Sequence, residues 1–171
     1  DYGPGGNESV LTVGATHVDD RAAAFSNFGA RLDIVAPGVD VLTLRARGTD
    51  PNYRPELDSN YRLGDFVVGA DKRYVRVSGT SFASPNTAAV AALIMSANPG
   101  LLPTDVLAVI TNTAVDLGNP GWDPAYGFGR VNALAAAEMA ASVETSDTLA
   151  PQVAILTPNA NARVSDLISV D

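Results

Sequence analysis

The sequence predicts an α/β fold, and three observations carry that reading. Short segments rich in Val, Leu and Ile, of strand length, stand at Val10 to Val13, Leu32 to Val35, Val39 to Leu44 and Tyr74 to Val77. Longer segments of helical length and spacing follow near 81 to 97, 104 to 112 and 132 to 142. The stretches between them are punctuated by Gly, Pro, Asn and Asp, the residues that turn a chain.

Each element has its own signal. Between Leu44 and Val77 the chain is rich in Pro, Asn, Asp, Arg and Tyr from Arg45 to Arg73 and reads mainly as loop. The helix expected from Ser81 is apolar on every face from Ala88 to Met95, a pattern that predicts burial all round and a rigid mount for whatever it carries. Pro99-Gly100 is its expected stop. Thr104 and Asn132 are the expected N-caps of the next two helices. No internal repeat is evident.

Composition narrows the function classes. With 171 residues, 46% hydrophobic and 18% charged, the chain is globular in character and long enough for one domain. A net charge of −8 argues against nucleic-acid or anionic-membrane partners, which call for a clustered basic surface. Cysteine is absent, so thiol chemistry and a cysteine-ligated zinc site are excluded. The longest apolar run is interrupted by Ser96, Asn98 and Pro99, short of the roughly 20 residues a membrane helix requires.

The segment Ser78-Gly79-Thr80-Ser81-Phe82-Ala83-Ser84-Pro85-Asn86 presents one hydroxyl at a helix start. The first amides of a helix lack internal partners and its dipole is positive there, so an oxyanion at that place is stabilised by backbone alone. Gly79 permits close approach of backbone and substrate, Thr80 sets a second hydroxyl beside Ser81, and Pro85 takes one intrahelical donor from the Ser81 carbonyl. The plainer alternative is that Thr80 and Ser81 merely cap a buried helix.

This segment and its surroundings resemble the subtilisin-like (subtilase, S8) serine peptidases. Gly79 through Pro85 matches their nucleophile motif. Ser9 to Ala15, Ala24 to Gly29 and Leu32 to Val39 look like consecutive core segments of that family, and Tyr126 to Ala133 looks like its closing segment. The resemblance covers roughly residues 8 to 140. It implies the C-terminal part of a three-layer fold with a mostly parallel sheet and a buried central helix starting at the nucleophile. It also implies that Ser81 attacks the peptide carbonyl, with Gly79 and Thr80 beside the oxyanion and substrate. Two other serine arrangements fit less well. The Gly-x-Ser-x-Gly elbow of α/β-hydrolases places its histidine after the serine, and none follows Ser81; a Ser-x-x-Lys pair is absent because Ser84 stands at that position.

A serine hydroxyl needs a neighbouring base. The chain has one histidine, His17, and the flanking Val-Gly-Ala and Ala-Phe-Ser segments place it in the loop after a later core strand, where it reads as a surface residue. In subtilisin the triad runs Asp, His, Ser along the chain, and that order is carried over from the relative: the acid, the base and the amide completing the oxyanion hole would precede residue 1. Residues 1 to 7 read as mid-domain loop with no initiating Met and no signal peptide, so the chain reads as a fragment. Residues 1–142 are read as peptidase domain, 143–151 as linker, and 152–171 as the truncated start of an appended β-domain. Such a module would target the peptidase to a carbohydrate or a surface, or be a plain spacer.

The chain departs from the family pattern in places. Asn86 stands where the motif usually has His, Phe82 where Met is more familiar, and Glu8 where Pro is common. Asp33 aligns with an acidic residue that in some relatives helps a weak cation site. No cofactor is required by this reading, no metal ligand is assigned, and a weak calcium site is left open for the full domain. The function implied is a secreted serine endopeptidase acting on polypeptide substrates. The alternative is a pseudo-peptidase, a binding or structural module that keeps the serine but has lost the acid or base.

Overall fold

The computed structural model describes residues 10–46 and 66–144. The β-domain expected over 152–171, the linker expected over 143–151 apart from its first two residues, and most of the loop expected after Leu44 lie outside the described residues.

The first two strands, β1 (Val13–Thr16) and β2 (Ile34–Pro37), pair in parallel, with Val13 opposite Ile34 and Thr16 opposite Pro37. β1 starts later than the sequence suggests. Thr12 is held by Asp33 instead: its carbonyl accepts the Asp33 N–H at 3.0 Å, and its own N–H donates to the Asp33 carboxylate at 2.6 Å. Strand alternation sends Ala15, Ile34 and Ala36 into the core. On the far side of β2 the segment 127–131 runs alongside it: Val35 donates to the Gly129 carbonyl and accepts from the Val131 N–H, both at 2.9 Å. Gly129 must be glycine there, since a Cβ would stand 2.2 Å from the Val115 carbonyl oxygen.

A second sheet contains β3 (Val41–Leu44), β4 (Val67–Val68) and β5 (Tyr74–Val77) in the order β3-β5-β4, all antiparallel. The parallel character expected from sequence thus belongs to the β1–β2 pair. β5 alternates cleanly, with Val75 and Val77 buried and Tyr74 and Arg76 exposed. The two-residue β4, read as loop, is too short to leave a hydrophobic period.

Three helices complete the described residues: α1 (Thr80–Ala97), α2 (Pro103–Asn112) and α3 (Ala133–Ser142). α1 is central, touching β1 and β2 as well as α2 and α3. It buries Ala83, Thr87, Val90 and Ile94, which at four- and three-residue steps form one stripe. The all-round burial expected from its composition is not found, because the described neighbours cover that stripe and leave the rest of the surface uncovered, with Leu93 50% and Met95 57% exposed on either side of Ile94. α2 buries Val106, Val109 and Ile110, and α3 buries the small Ala136 and Ala140.

The ends of these helices separate what sequence read from what it missed. Asn132 caps α3 as expected, its side chain accepting the Ala135 N–H at 3.2 Å. Thr104 is not the cap of α2. That helix starts one turn position earlier at Pro103, which has a preset φ and no N–H to satisfy, and the Asp105 carboxylate reaches back to the Leu102 N–H at 2.9 Å. Beyond α1, the buried Asn98 donates its amide to the Ala140 and Val143 carbonyls at 3.0 and 2.8 Å and accepts the Gly100 N–H at 3.2 Å. Asn98 therefore closes α1 with its backbone N–H, which donates to the Ile94 carbonyl at 2.9 Å, and fastens the helix to the end of α3 with its side chain.

Candidate active site

The candidate site forms where the two sheets hand over to α1. The chain leaves β5 through Ser78 and Gly79, and Ser78 Oγ accepts the Asp40 N–H at 2.9 Å. Gly79 adopts φ 154°, a backbone that L side chains rarely take, and donates its N–H to the Gly38 carbonyl at 2.8 Å. Gly38 follows the last residue of β2 and is buried, with space for nothing larger. A Cβ on it would lie 2.7 Å from Ala15 Cβ, 3.0 Å from the Gly79 oxygen and 3.1 Å from Ala83 Cβ.

Gly79 is the N-cap of α1, and no side chain makes a capping hydrogen bond. Thr80 and Ser81 are the first two residues of the helix itself, so the reading in which they merely cap it fails. Ser81 is exposed, and its hydroxyl has no hydrogen-bond partner among the described residues. The Phe82 N–H turns back to the Gly79 carbonyl at 3.0 Å. The Thr80 and Ser81 N–H groups come before any intrahelical acceptor and find none among the described residues. The structure thus brings Gly79, Thr80 and Ser81 together as one exposed turn with a hydroxyl and unclaimed amides at the positive end of an 18-residue helix.

His17 lies elsewhere. It sits in the turn after β1, donating its backbone N–H to the Arg21 carbonyl at 2.8 Å, and it lines a groove of about 590 Å³ with Pro37, Val39, Asp40, Arg76 and Asn86. Ser81 does not line that groove. A smaller hollow of about 230 Å³ opens on the flank of α1 between Leu11, Val13, Ser84, Thr87, Ala88 and Leu107.

Two features of the site escaped sequence reading. The Asn86 side chain donates to the Pro37 carbonyl at 2.9 Å, and Gly38 provides the close contact beneath the turn. A motif comparison flags Asn86 only as a departure from His, and no local signal says what its amide would reach.

Asp33 is half-buried. Burial pushes its carboxyl above the usual carboxylate range, against the lowering pulls of the Thr12 N–H and the Arg31 charge. One of its oxygens is committed to the Thr12 N–H, and among the described residues no group of three or more His, Cys, Asp or Glu side chains could hold a metal ion.

A fold of this kind, with a serine at the head of a central helix, finds its counterpart among known proteins. The model of the subtilase family matches residues 2–129. The chain belongs to the subtilase family. It is 38% identical over 148 residues to the serine protease AprX of Bacillus subtilis, covering 76% of this chain and 30% of AprX. It is 36% identical over 128 residues to the M-protease of Shouchella clausii, covering 75% of this chain and 27% of that protein. The crystal structure of fervidolysin from Fervidobacterium pennivorans, described as a keratinolytic enzyme related to subtilisin, superposes with a TM-score of 0.65 at 27% identity, over 79% of this chain and 20% of that one. The chain spans less than a third of the length of either curated relative.

Proposed function

We propose that the chain is the nucleophile-bearing portion of a subtilisin-like serine endopeptidase that hydrolyses polypeptides through an acyl-enzyme on Ser81. The observation that carries this reading is the placement of Ser81: second residue of α1, exposed, with its hydroxyl uncommitted and its own N–H free to receive an oxyanion.

The chemistry follows from that placement. A base takes the Ser81 hydroxyl proton as Oγ bonds to the peptide carbonyl carbon, and the carbonyl oxygen becomes an oxyanion facing the Ser81 N–H and the helix end. Collapse of this adduct breaks the C–N bond, and the departing amine takes the proton from the base. Water then attacks the ester by the same route and releases the acid. The base and its orienting carboxylate come from chain beyond these residues, since the one histidine, His17, lines a groove that Ser81 does not share. Two further observations support this assembly: the relatives are more than three times as long as the segment matched, and α1 leaves the large apolar side chains Leu93 and Met95 uncovered on either side of its buried stripe. Secretion follows from the family resemblance, and no described helix is long and apolar enough to cross a membrane. The isolated chain, without its base, is inactive.

Hydrolysis of casein by the full-length protein tests the proposal. Ser81→Ala lowers the rate to less than about one-thousandth of that of the unsubstituted protein. Retention of a tenth or more of the activity in Ser81→Ala would refute it.

A further inference from the structure

α1 is weakest in its own hydrogen bonding where Ser81 sits. Its first amides have no intrahelical acceptor, and Pro85 offers no N–H to the Ser81 carbonyl. The turn is held from outside instead, by two hydrogen bonds to consecutive carbonyls at the end of β2. Gly79 donates to Gly38 at 2.8 Å before the serine, and the Asn86 amide donates to Pro37 at 2.9 Å directly after the proline. Ser81 lies between these two anchor points. The first bond is backbone and survives any side-chain change; the second depends on one side chain.

We infer that Asn86 is a positioning residue, whose side-chain donor sets the seat of the first turns of α1 on β2 and, through it, the place of the Ser81 oxygen. The catalytic consequence rests on the proposed role of Ser81; the seating of the turn does not. What the site requires at residue 86 is an N–H directed at the Pro37 carbonyl. Histidine can supply one. Leucine fills a similar space without a donor, so the bond that ties α1 to Pro37 is lost and the carbonyl is left to solvent. The effect falls on turnover more than on substrate affinity, because a nucleophile displaced by about 1 Å can lose on the order of 100-fold in rate and Asn86 acts through the turn and not on the substrate.

The test compares the full-length protein with its Asn86→Leu and Asn86→His variants, reading kcat and KM for a peptide substrate and amide hydrogen exchange in a fragment spanning residues 78–84. Asn86→Leu is expected to lower kcat about tenfold or more with KM changed less than about twofold, and to speed exchange in that fragment but not in α2. Asn86→His is expected to keep kcat within about threefold and to keep the protection. Unchanged kcat and exchange in Asn86→Leu overturns the inference, as does an Asn86→His variant as impaired as Asn86→Leu. Should Asn86→Leu not fold, Asn86→Ala removes the donor without added bulk and is read by the same measures. If the unsubstituted protein hydrolyses nothing, the nucleophile reading fails alone, and the exchange rates still decide whether Asn86 seats the turn.

Discussion

Gly79 donates its N–H to the Gly38 carbonyl at 2.8 Å, so the N-cap of α1 is sewn to the residue that follows β2. The contact is close on every side, with Ala15, Ala83 and the Gly79 oxygen all within 3.1 Å of where a Gly38 side chain would begin. The parallel pair, the core alanine of α1 and the turn bearing Ser81 therefore meet at one point.

Gly38→Ala is expected to push these parts apart. Overpacking of this kind costs roughly 1–3 kcal/mol, and thermal unfolding of the full-length protein should show it as a midpoint several degrees lower. The displaced turn should lower kcat more than it raises KM. A variant with wild-type midpoint and kcat would mean that the contact yields without moving the turn.

Asn98→Ala should destabilise by about 1–3 kcal/mol, since it strands the buried Ala140 carbonyl, frees the half-buried Val143 carbonyl and opens the closure between α1 and α3. Asn98→Asp should be no better at neutral pH, because a carboxylate would face those same two oxygens. Denaturant unfolding of the two variants checks both expectations, and a loss below about 0.5 kcal/mol in Asn98→Ala would contradict them.

How far the sequence reveals this arrangement depends on how local the cause is. The bounds of α1, α2 and α3 are legible to within a residue or two because composition and caps such as Asn132 are written in adjacent residues. Ser81 is legible for the same reason: glycine, hydroxyls and proline fall together. Long-range causes are not. Asn98 reads as an interruption after a helix, yet its partners lie 42 and 45 residues away. Asn86 reads as a substitution, yet it reaches back 49 residues to Pro37. The burial of α1 is only partly legible, because an apolar face announces only that it needs a cover, and the described residues cover one stripe.

The raised Asp33 carboxyl makes a pH-dependent contribution whose sign is fixed. Burial holds the folded-state proton more tightly than the ordinary value of 3.8 allows, so the folded form binds more protons than the unfolded one above that pH. Its contribution is therefore most favourable below the ordinary value and declines as pH rises through the folded value. Asp33→Asn removes this decline while keeping an oxygen for the Thr12 N–H. Melting curves between pH 4 and 7 should show the variant gaining on the unsubstituted protein as pH rises; a variant losing ground over that range would contradict the assignment.

The most direct test of the account is the site of covalent modification. Full-length protein treated with a fluorophosphonate and digested for mass spectrometry should carry one adduct, on Ser81, and Ser81→Ala should carry none. An adduct on another residue, or undiminished labelling of Ser81→Ala, would contradict the assignment of Ser81 as nucleophile.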